Sequence, residues 1–415
     1  MSESSVPYAS ADLPILPTDD AAYWQNPYPH LAEARERSRV ARNAEGLLQV
    51  LRFDDAVETM KGTRFIAEGI EVLERKGFAP GDPMHTWRKN AIGTMEGDDH
   101  RRVRGLAAAA LSKRKMDDLR PMIRRHAHAL LDAKQEDGAL EGRLDYATPL
   151  PRRVMMEFLG VAADEMMSSM GPMARVNIVD CFGPNVTPEL RKEANHAIQL
   201  SMDHTAMLFE RRRAEPKDDL LTALVQAGES NEQLSEGELV TLFSTIFGSG
   251  ASTASIIASG MMELARHPDQ AALLRDDPAR WTRGASEETL RYRPAITGVG
   301  QKASTDLEAF GLRLEAGTPL MVSLGAPNRD PRHFEDPETF DITRDPKQTS
   351  LTFGIGAHVC LGHAMARATV EEALAVFVER CDEIELAEEP RWIPFVMENK
   401  LDGLSLRFSP RERRR

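Results

Sequence analysis

Between Leu239 and Met262 the chain runs for 24 residues without a charge. A stretch of that kind is either a bilayer span or a helix buried through the middle of a large protein. Gly248, Gly250, Gly260 and many Ser/Thr side chains make it a poor lipid-facing surface, so a buried helix is expected. Its start is legible in Ser235-Glu236-Gly237-Glu238, a capping box in which the first and fourth side chains satisfy each other's backbone N–H. Nothing obliges it to stop before His267-Pro268. At 1.5 Å per residue such a helix is about 50 Å long, so the rest of a domain must be arranged around it. Its middle, GSGASTAS, is weak, because each glycine costs about 1 kcal/mol relative to alanine and Ser/Thr hydroxyls can bond back to the preceding turn. Either small residues are needed for close packing, or the weakness serves chemistry at that point.

A second stretch, Leu351 to Arg367 (LTFGIGAHVCLGHAMAR), sets Cys360 in a glycine-rich loop directly before a helical pattern. Gly354, Gly356 and Gly362 allow a tight turn and close approach of a flat ligand. The helix mouth is expected to favour the thiolate of Cys360, which can then ligate a metal. One axial thiolate implies a cofactor that fills the metal's other positions, and haem is such a group. Two competing readings are a buried inert cysteine and a metal cluster of His358, Cys360 and His363. Structural zinc usually takes four ligands, and Cys-x-x-Cys spacing is absent.

Phe353, Gly354, Gly356, Cys360 and Gly362 match the loop F-G-x-G-x-x-x-C-x-G, and on these residues the chain resembles the cytochrome P-450 superfamily, soluble bacterial type. The resemblance implies that Cys360 is the metal ligand of heme b (iron protoporphyrin IX), with Phe353, Gly354 and His358 among the cofactor-binding residues. It also implies that His100 and Arg104, at i and i+4 of one helix, hold the haem propionates. In the central helix Gly250 and Thr253 fit the family's oxygen-activating groove, but Ser252 stands where an acid is usual. Glu288 and Arg291 match E-x-x-R, with Arg329 and Arg344 both candidates to complete the network. Gln301 occupies a strand position where the family usually has a propionate-binding Arg, and Lys302 points to the opposite face.

The rest of the chain bounds these readings. Its 415 residues contain no Gly/Ser-rich or Pro-rich linker and no repeat, so one large domain is expected over residues 18 to 410, with an extension at 1 to 17 and a basic tail at 411 to 415. Periodicity makes it mainly α with minor β. Helices are expected at Thr18 to Arg37, at Asp54 to Met60, from a cap at Asp98 or Asp99, and onward from Arg367 to about Arg380. Strands are expected at Leu47 to Leu51, Ile296 to Asp306, Ala309 to Glu315, Thr318 to Ser323, Glu383 to Leu386 and Leu404 to Phe408. Residues 62 to 94 read as irregular. The methionines Met155, Met156, Met166, Met167, Met170 and Met173 read as adaptable core. A net charge of −13 argues against nucleic acid, and against it the six cations between His100 and Lys115 stand out as a patch. Three cysteines without framework spacing suggest a reducing cytoplasm, and no signal peptide or membrane anchor is legible.

The expected activity is a haem-thiolate monooxygenase that inserts one atom of O2 into a small, moderately hydrophobic organic substrate. A non-catalytic haem-thiolate sensor or carrier is the competing class, and Gly250 and Thr253 favour the enzyme. No flavin or iron–sulfur motif is present, so electrons are expected from a separate ferredoxin and ferredoxin reductase, with the His100 to Lys115 patch as the docking face and Lys113 and Arg114 as the positions that test it. Residues 64 to 95, Ile296 to Val299 and Phe395 to Leu401 are the expected pocket segments. With no acid at Ser252, protons are expected along a water chain held by Ser252 and Thr253, supplied by a more distant carboxylate.

Overall fold

The structure, a computed structural model, describes residues 6–110, 119–134, 136–166, 176, 178–183, 186–229, 234–345, 347–394 and 397–411. The elements that position the site are labelled in chain order: helices α1 (Phe53–Lys61), α2 (Pro83–Lys89), α3 (Gly97–Ala110), α4 (Arg120–Asp132), α5 (Glu236–Gly248), α6 (Gly250–Arg266), α7 (Pro278–Tyr292) and α8 (His363–Arg380). The uncharged stretch forms α5 and α6, interrupted at Ser249, where the helical ladder is weakest. The capping box is present: Ser235 Oγ accepts from Glu238 N at 3.2 Å, and Glu238 Oε2 accepts from Ser235 N at 2.7 Å. By length and composition α5–α6 could cross a membrane, yet 61% of its apolar window is buried inside the protein, as in a core helix.

Helix α6 is the hub of the larger core. Ile256, Ile257, Met261 and Leu264 share one cluster with Leu290 of α7, Leu374 and Phe377 of α8, and Ile123 and Leu130 of α4. Gly260 is the glycine that serves close packing: a Cβ there would sit 2.9 Å from Leu374 and 3.2 Å from Thr289. Gly284 does the same for α7, where a Cβ would lie 2.1 Å from the carbonyl oxygen of Ile342.

The minor β component is three small sheets. Strands β2 (Val40–Arg42), β3 (Leu48–Val50), β9 (Pro319–Ser323), β6 (Gly298–Ala303) and β4 (Phe65–Ala67) form one in that spatial order. β1 (Val6–Pro7), β8 (Leu312–Leu314) and β7 (Leu307–Ala309) form the second, and β10 (Cys381–Leu386), β11 (Ser405–Pro410) and β5 (Ala139–Glu141) the third. The first sheet is the one that matters for the site: Gln301 in β6 faces Ala67 on one side and Leu320 on the other.

Several local expectations are corrected. The helix expected over Thr18 to Arg37 is two, Ala21–Gln25 and Tyr28–Arg37, because Pro27 disfavours helical geometry at Asn26. Residues 62 to 94 are not irregular throughout; they contain β4, a short helix Glu71–Arg75 and α2. Asp98 and Asp99 lie inside the first turn of α3 rather than capping it. Val6–Pro7 pair with β8, and Leu16 N donates to Arg42 O at 2.8 Å, so the extension packs onto the domain from Val6 onward. At the other end Arg411 N donates to Arg380 O at 2.9 Å, while 412–415 lie outside the described residues.

Candidate active site

The Cys loop is a tight backbone turn. Gly354 N donates to Leu351 O at 2.8 Å, Val359 N to Gly356 O at 3.3 Å and Cys360 N to Phe353 O at 2.7 Å. Gly354 and Gly356 take φ of 68° and 79°, in the left-handed region that side chains resist. Gly356 has a second reason to be glycine, since a Cβ would meet Met60 O at 2.9 Å where the loop rests on the end of α1. Gly362 differs from the expectation: its φ is −84°, and nothing lies within 4 Å of where a Cβ would point. Its lack of a side chain leaves space beside Cys360 instead of making the turn.

Cys360 is exposed, whereas Cys181 and Cys381 are buried. Yet protein surrounds the Cys360 thiol closely enough to desolvate it. Burial pushes the thiol up from its ordinary value, against the N–H groups of Gly362 and His363 and the charges of Arg104 and Arg367. Desolvation thus opposes the helix mouth at the loop, and a bound cation would hold the thiolate form. Arg367 lies 4.5 Å from the Phe353 ring centroid and pairs with Glu287, fixing Phe353 against the loop. Leu361, Ala364 and Met365 share a core cluster with Leu242, Phe243 and Ile246 of α5 and Ala107 of α3, which brings the loop, α3 and the central helix together.

His100 and Arg104 do converge. Arg104 donates to Val359 O at 2.7 Å, one residue before Cys360, and the His100 ring sits 4.3 Å from that of His358. His358 Nε2 lies 3.2 Å from Glu96 Oε1. His100 Nε2 is buried without a hydrogen-bond partner. Burial first, then the neighbouring His358 and Arg104, push His100 below its ordinary value and favour its neutral form. His363 Nδ1 is taken by Arg367 at 3.0 Å, and no group of three metal-ligating side chains occurs among the described residues, which removes the His358–Cys360–His363 cluster.

In the central helix most hydroxyls are occupied. Ser244 and Thr245 donate to Thr241 O, Ser249 to Ile246 O, Ser259 to Ser255 O, and Ser255 reaches a carboxylate, Glu398, at 2.7 Å. Neither Ser252 nor Thr253 has a hydroxyl partner among the described residues, and the same holds for the buried Thr241 Oγ1 further up the helix. Gly248 has nothing within 4 Å of a Cβ position, and Gly250 only Pro151 at 3.9 Å, so the glycines at the break do not serve close packing.

Glu288 and Arg291 form a buried pair, at 2.8 Å and 2.7 Å through two parallel bonds. Arg344 Nε, at 3.3 Å from Glu288 Oε2, is the third member. Arg329 is committed elsewhere, to Glu338 and Tyr292 O, between the rings of Tyr28 and Tyr292. Lys302 bonds Glu71 at 2.5 Å, confirming that it faces away from Gln301.

The basic patch is less free than its sequence suggests. Arg101 pairs with Asp98, and Arg102 pairs with Asp99 at 3.1 Å and Glu238 at 2.6 Å. Lys113, Arg114 and Lys115 lie outside the described residues, as do Met167, Met170, Met173, Phe395 and Val396. Sequence reasoning missed Glu96, the contact of Trp87 Nε1 with Ser244 Oγ at 3.0 Å that seats α2 on α5, and Glu398. Only Glu398 left a trace, as a single acid within FVMENKL.

A family model for cytochrome P450 matches residues 65–398. The chain belongs to that family. It is 32% identical over 403 residues to luteothin monooxygenase of Streptomyces thioluteus, covering 96% of this chain and 97% of the relative. With 6-deoxyerythronolide B hydroxylase of Saccharopolyspora erythraea it shares 28% over 396 residues, 93% of this chain and 96% of that one. The crystal structure of P450BioI in complex with hexadec-9Z-enoic acid ligated acyl carrier protein superposes with a TM-score of 0.86 at 26% identity, over 93% of this chain and 100% of that one. As a cytochrome P-450 the chain is a haem-thiolate monooxygenase, mainly helical around a long central helix. The residues present fit haem: an accessible thiol, an orphaned buried nitrogen on His100, and open space at Gly248 and Gly362.

Proposed function

We propose that Cys360 is the axial thiolate ligand of heme b, and that the protein uses it to insert one atom of O2 into a small, moderately hydrophobic organic molecule. The accessible, desolvated Cys360 thiol at the mouth of α8 carries this reading. When bound, haem supplies oxygen binding and O–O cleavage, with electron donation from the thiolate. Phe353, Gly354 and His358 flank it, and Arg104 and His100 take the propionates. Arg104 has its guanidinium beside Val359 O, and His100 has a free Nε2, in support of that assignment. Gly250 would leave room beside the bound haem, while Ser252 and Thr253 offer hydroxyls that can each donate and accept, and so order water.

Electrons come from a separate ferredoxin and its reductase, which dock at Lys113 and Arg114. The pairing of Arg101 and Arg102 with acids leaves those later cations as the candidates. The substrate pocket is formed by residues 64 to 95, Ile296 to Val299 and Phe395 to Leu401, and a Bacillus subtilis relative named as a polyketide biosynthesis cytochrome P450 supports a polyketide-like scaffold. The haem domain spans residues 18 to 410 and works in the cytoplasm. The test is the spectrum of reduced protein with carbon monoxide, which should show the Soret position specific to thiolate ligation. Cys360→Ala should abolish it, and a colourless wild-type protein that binds zinc would overturn the reading. Spectral-shift screening of a compound library then finds the substrate class.

A further inference from the structure

Monooxygenation consumes two protons with two electrons: O2 and a C–H bond become C–O–H and one water. The distal hydroxyls Ser252 and Thr253 can pass protons but hold none in reserve near neutral pH, so a carboxyl must stand behind them. Among the described residues, the acids in or against the two halves of the central helix are committed to cations with one exception. Glu236 and Glu238 lie at its start, paired with Arg213 and Arg102, Glu263 lies near its end, bonded to Arg293 at 2.7 Å, and Glu389 pairs with Arg266 at the last residue. The exception is Glu398.

Its position follows from the local backbone. Thr297 N donates to Met397 O at 2.9 Å and Asn399 N to Ala295 O at 2.7 Å, forming a bridge that holds residues 397–399 extended. Met397 and Asn399 line a cavity under residues 18–31, so the residue between them turns the other way, toward α6. There Ser255 Oγ meets Glu398 Oε1 at 2.7 Å. Ser252 and Ser255 are three residues apart, on one face of α6. Glu398 is 8% exposed, and its Oε2 has no hydrogen-bond partner among the described residues.

We infer that Glu398, acting through Ser255 and Ser252, holds the proton reserve that the acid-free position 252 lacks. This rests on the monooxygenase reading above. With the carboxyl protonated, Oε1–H donates to Ser255 Oγ; its proton passes to Ser255 while the hydroxyl proton of Ser255 leaves through water to Ser252. The carboxylate so formed is reprotonated from solvent, and no electron moves in this step. Burial holds the carboxyl above its ordinary value, opposed by the Ser255 bond and by Lys400. Among the described residues Lys400 is the one charged group found to act on it, α6 presents serines there, and Arg293, two residues before Ala295, is bonded to Glu263. Glu398 is a positioning residue, since it acts through Ser255.

The holoenzyme carrying Glu398→Gln keeps the acceptor for Ser255 and loses the proton. Infrared spectra of the wild type near neutral pH should contain a carboxylic-acid C=O band that shifts in D2O and is missing from Glu398→Gln. Turnover of the compound giving the largest spectral shift should then divert reducing equivalents to peroxide, with product per NAD(P)H falling roughly tenfold or more, the low side of a general-acid contribution. Ser255→Ala should repeat the diversion and move the infrared band without removing it, and it carries the test if Glu398→Gln does not fold. Absence of the band in the wild type, or unchanged coupling in both variants, overturns the inference. Either result beside an intact thiolate carbon monoxide spectrum leaves the monooxygenase reading standing, whereas loss of that spectrum in the wild type ends both.

Discussion

Replacing Arg291 with Met removes a guanidinium whose nitrogens make five hydrogen bonds: two to Glu288, and one each to Asn328 O, Pro337 O and Thr339 O. Side-chain volume is nearly kept, so the loss is electrostatic. Glu288 is then stranded, 2% exposed, with Arg344 at 3.3 Å and the N–H of Asp341 at 2.9 Å. Breaking a buried pair from one side costs about 3–5 kcal/mol. Three orphaned carbonyls add about 1 kcal/mol or more each. The sum is a large fraction of the roughly 5–15 kcal/mol that holds a domain together. Arg291→Met should therefore yield little folded holoprotein. Arg344→Gln should cost on the order of 1 kcal/mol, because Arg344 makes one long contact to Glu288 and leaves Arg291 in place. Urea midpoints by tryptophan fluorescence measure both. A double-mutant cycle decides the third member: Glu288→Gln should couple to Arg344→Gln by about 0.5 kcal/mol or more, and add to Arg329→Gln within roughly that amount. Coupling of Glu288 to Arg329 alone, or equal costs for Arg291→Met and Arg344→Gln, would refute this account.

Gly356→Ala forces a Cβ to 2.9 Å from Met60 O at a φ of 79°, so haem retention should fall; Gly362→Ala meets no protein atom, so it should fold normally while shifting the Soret band. Thr253→Ala should keep NAD(P)H consumption and raise peroxide at the expense of product, and unchanged coupling with the true substrate would remove Thr253 from the reaction. Lys113→Glu with Arg114→Glu should slow reduction by ferredoxin at low ionic strength, with the difference closing as salt rises and substrate affinity unchanged. Glu398 binds its proton more tightly folded than unfolded, so it weakens the fold as pH rises from its ordinary value of 4.5 through its raised folded one. Glu398→Gln should therefore gain thermal midpoint over wild type at pH 8 and lose that gain toward pH 4.5; a pH-independent difference would contradict the sign.

What could be read without coordinates was local. The capping box at Ser235, the weakness around Gly248 and Gly250, the turn before Cys360 and the pairing of Glu288 with Arg291 each depend on residues within about one helical turn of one another, where steric and hydrogen-bonding rules act directly. Membership of a family with a cysteine ligand followed from the loop because backbone shape sets Gly354 and Gly356 and ligation sets Cys360.

Tertiary structure decided whatever depended on distant partners or on burial. Arg344 and Arg329 are equally plausible along the chain, and only the fold brings one to Glu288 and stacks the other on Tyr28 and Tyr292. The acids Asp98 and Asp99 turned from caps into partners of Arg101 and Arg102 once α3 began at Gly97. Cys360 illustrates the general cause: the helix mouth that favours its thiolate is visible in the sequence, but the desolvation that opposes it comes from protein packed around the loop. Ser255 and Glu398 lie 143 residues apart, and their contact exists because the bridge at Ile296 turns one side chain toward α6 and its two neighbours away. Long-range packing sets both who meets and how much water remains, and neither quantity is carried by local pattern.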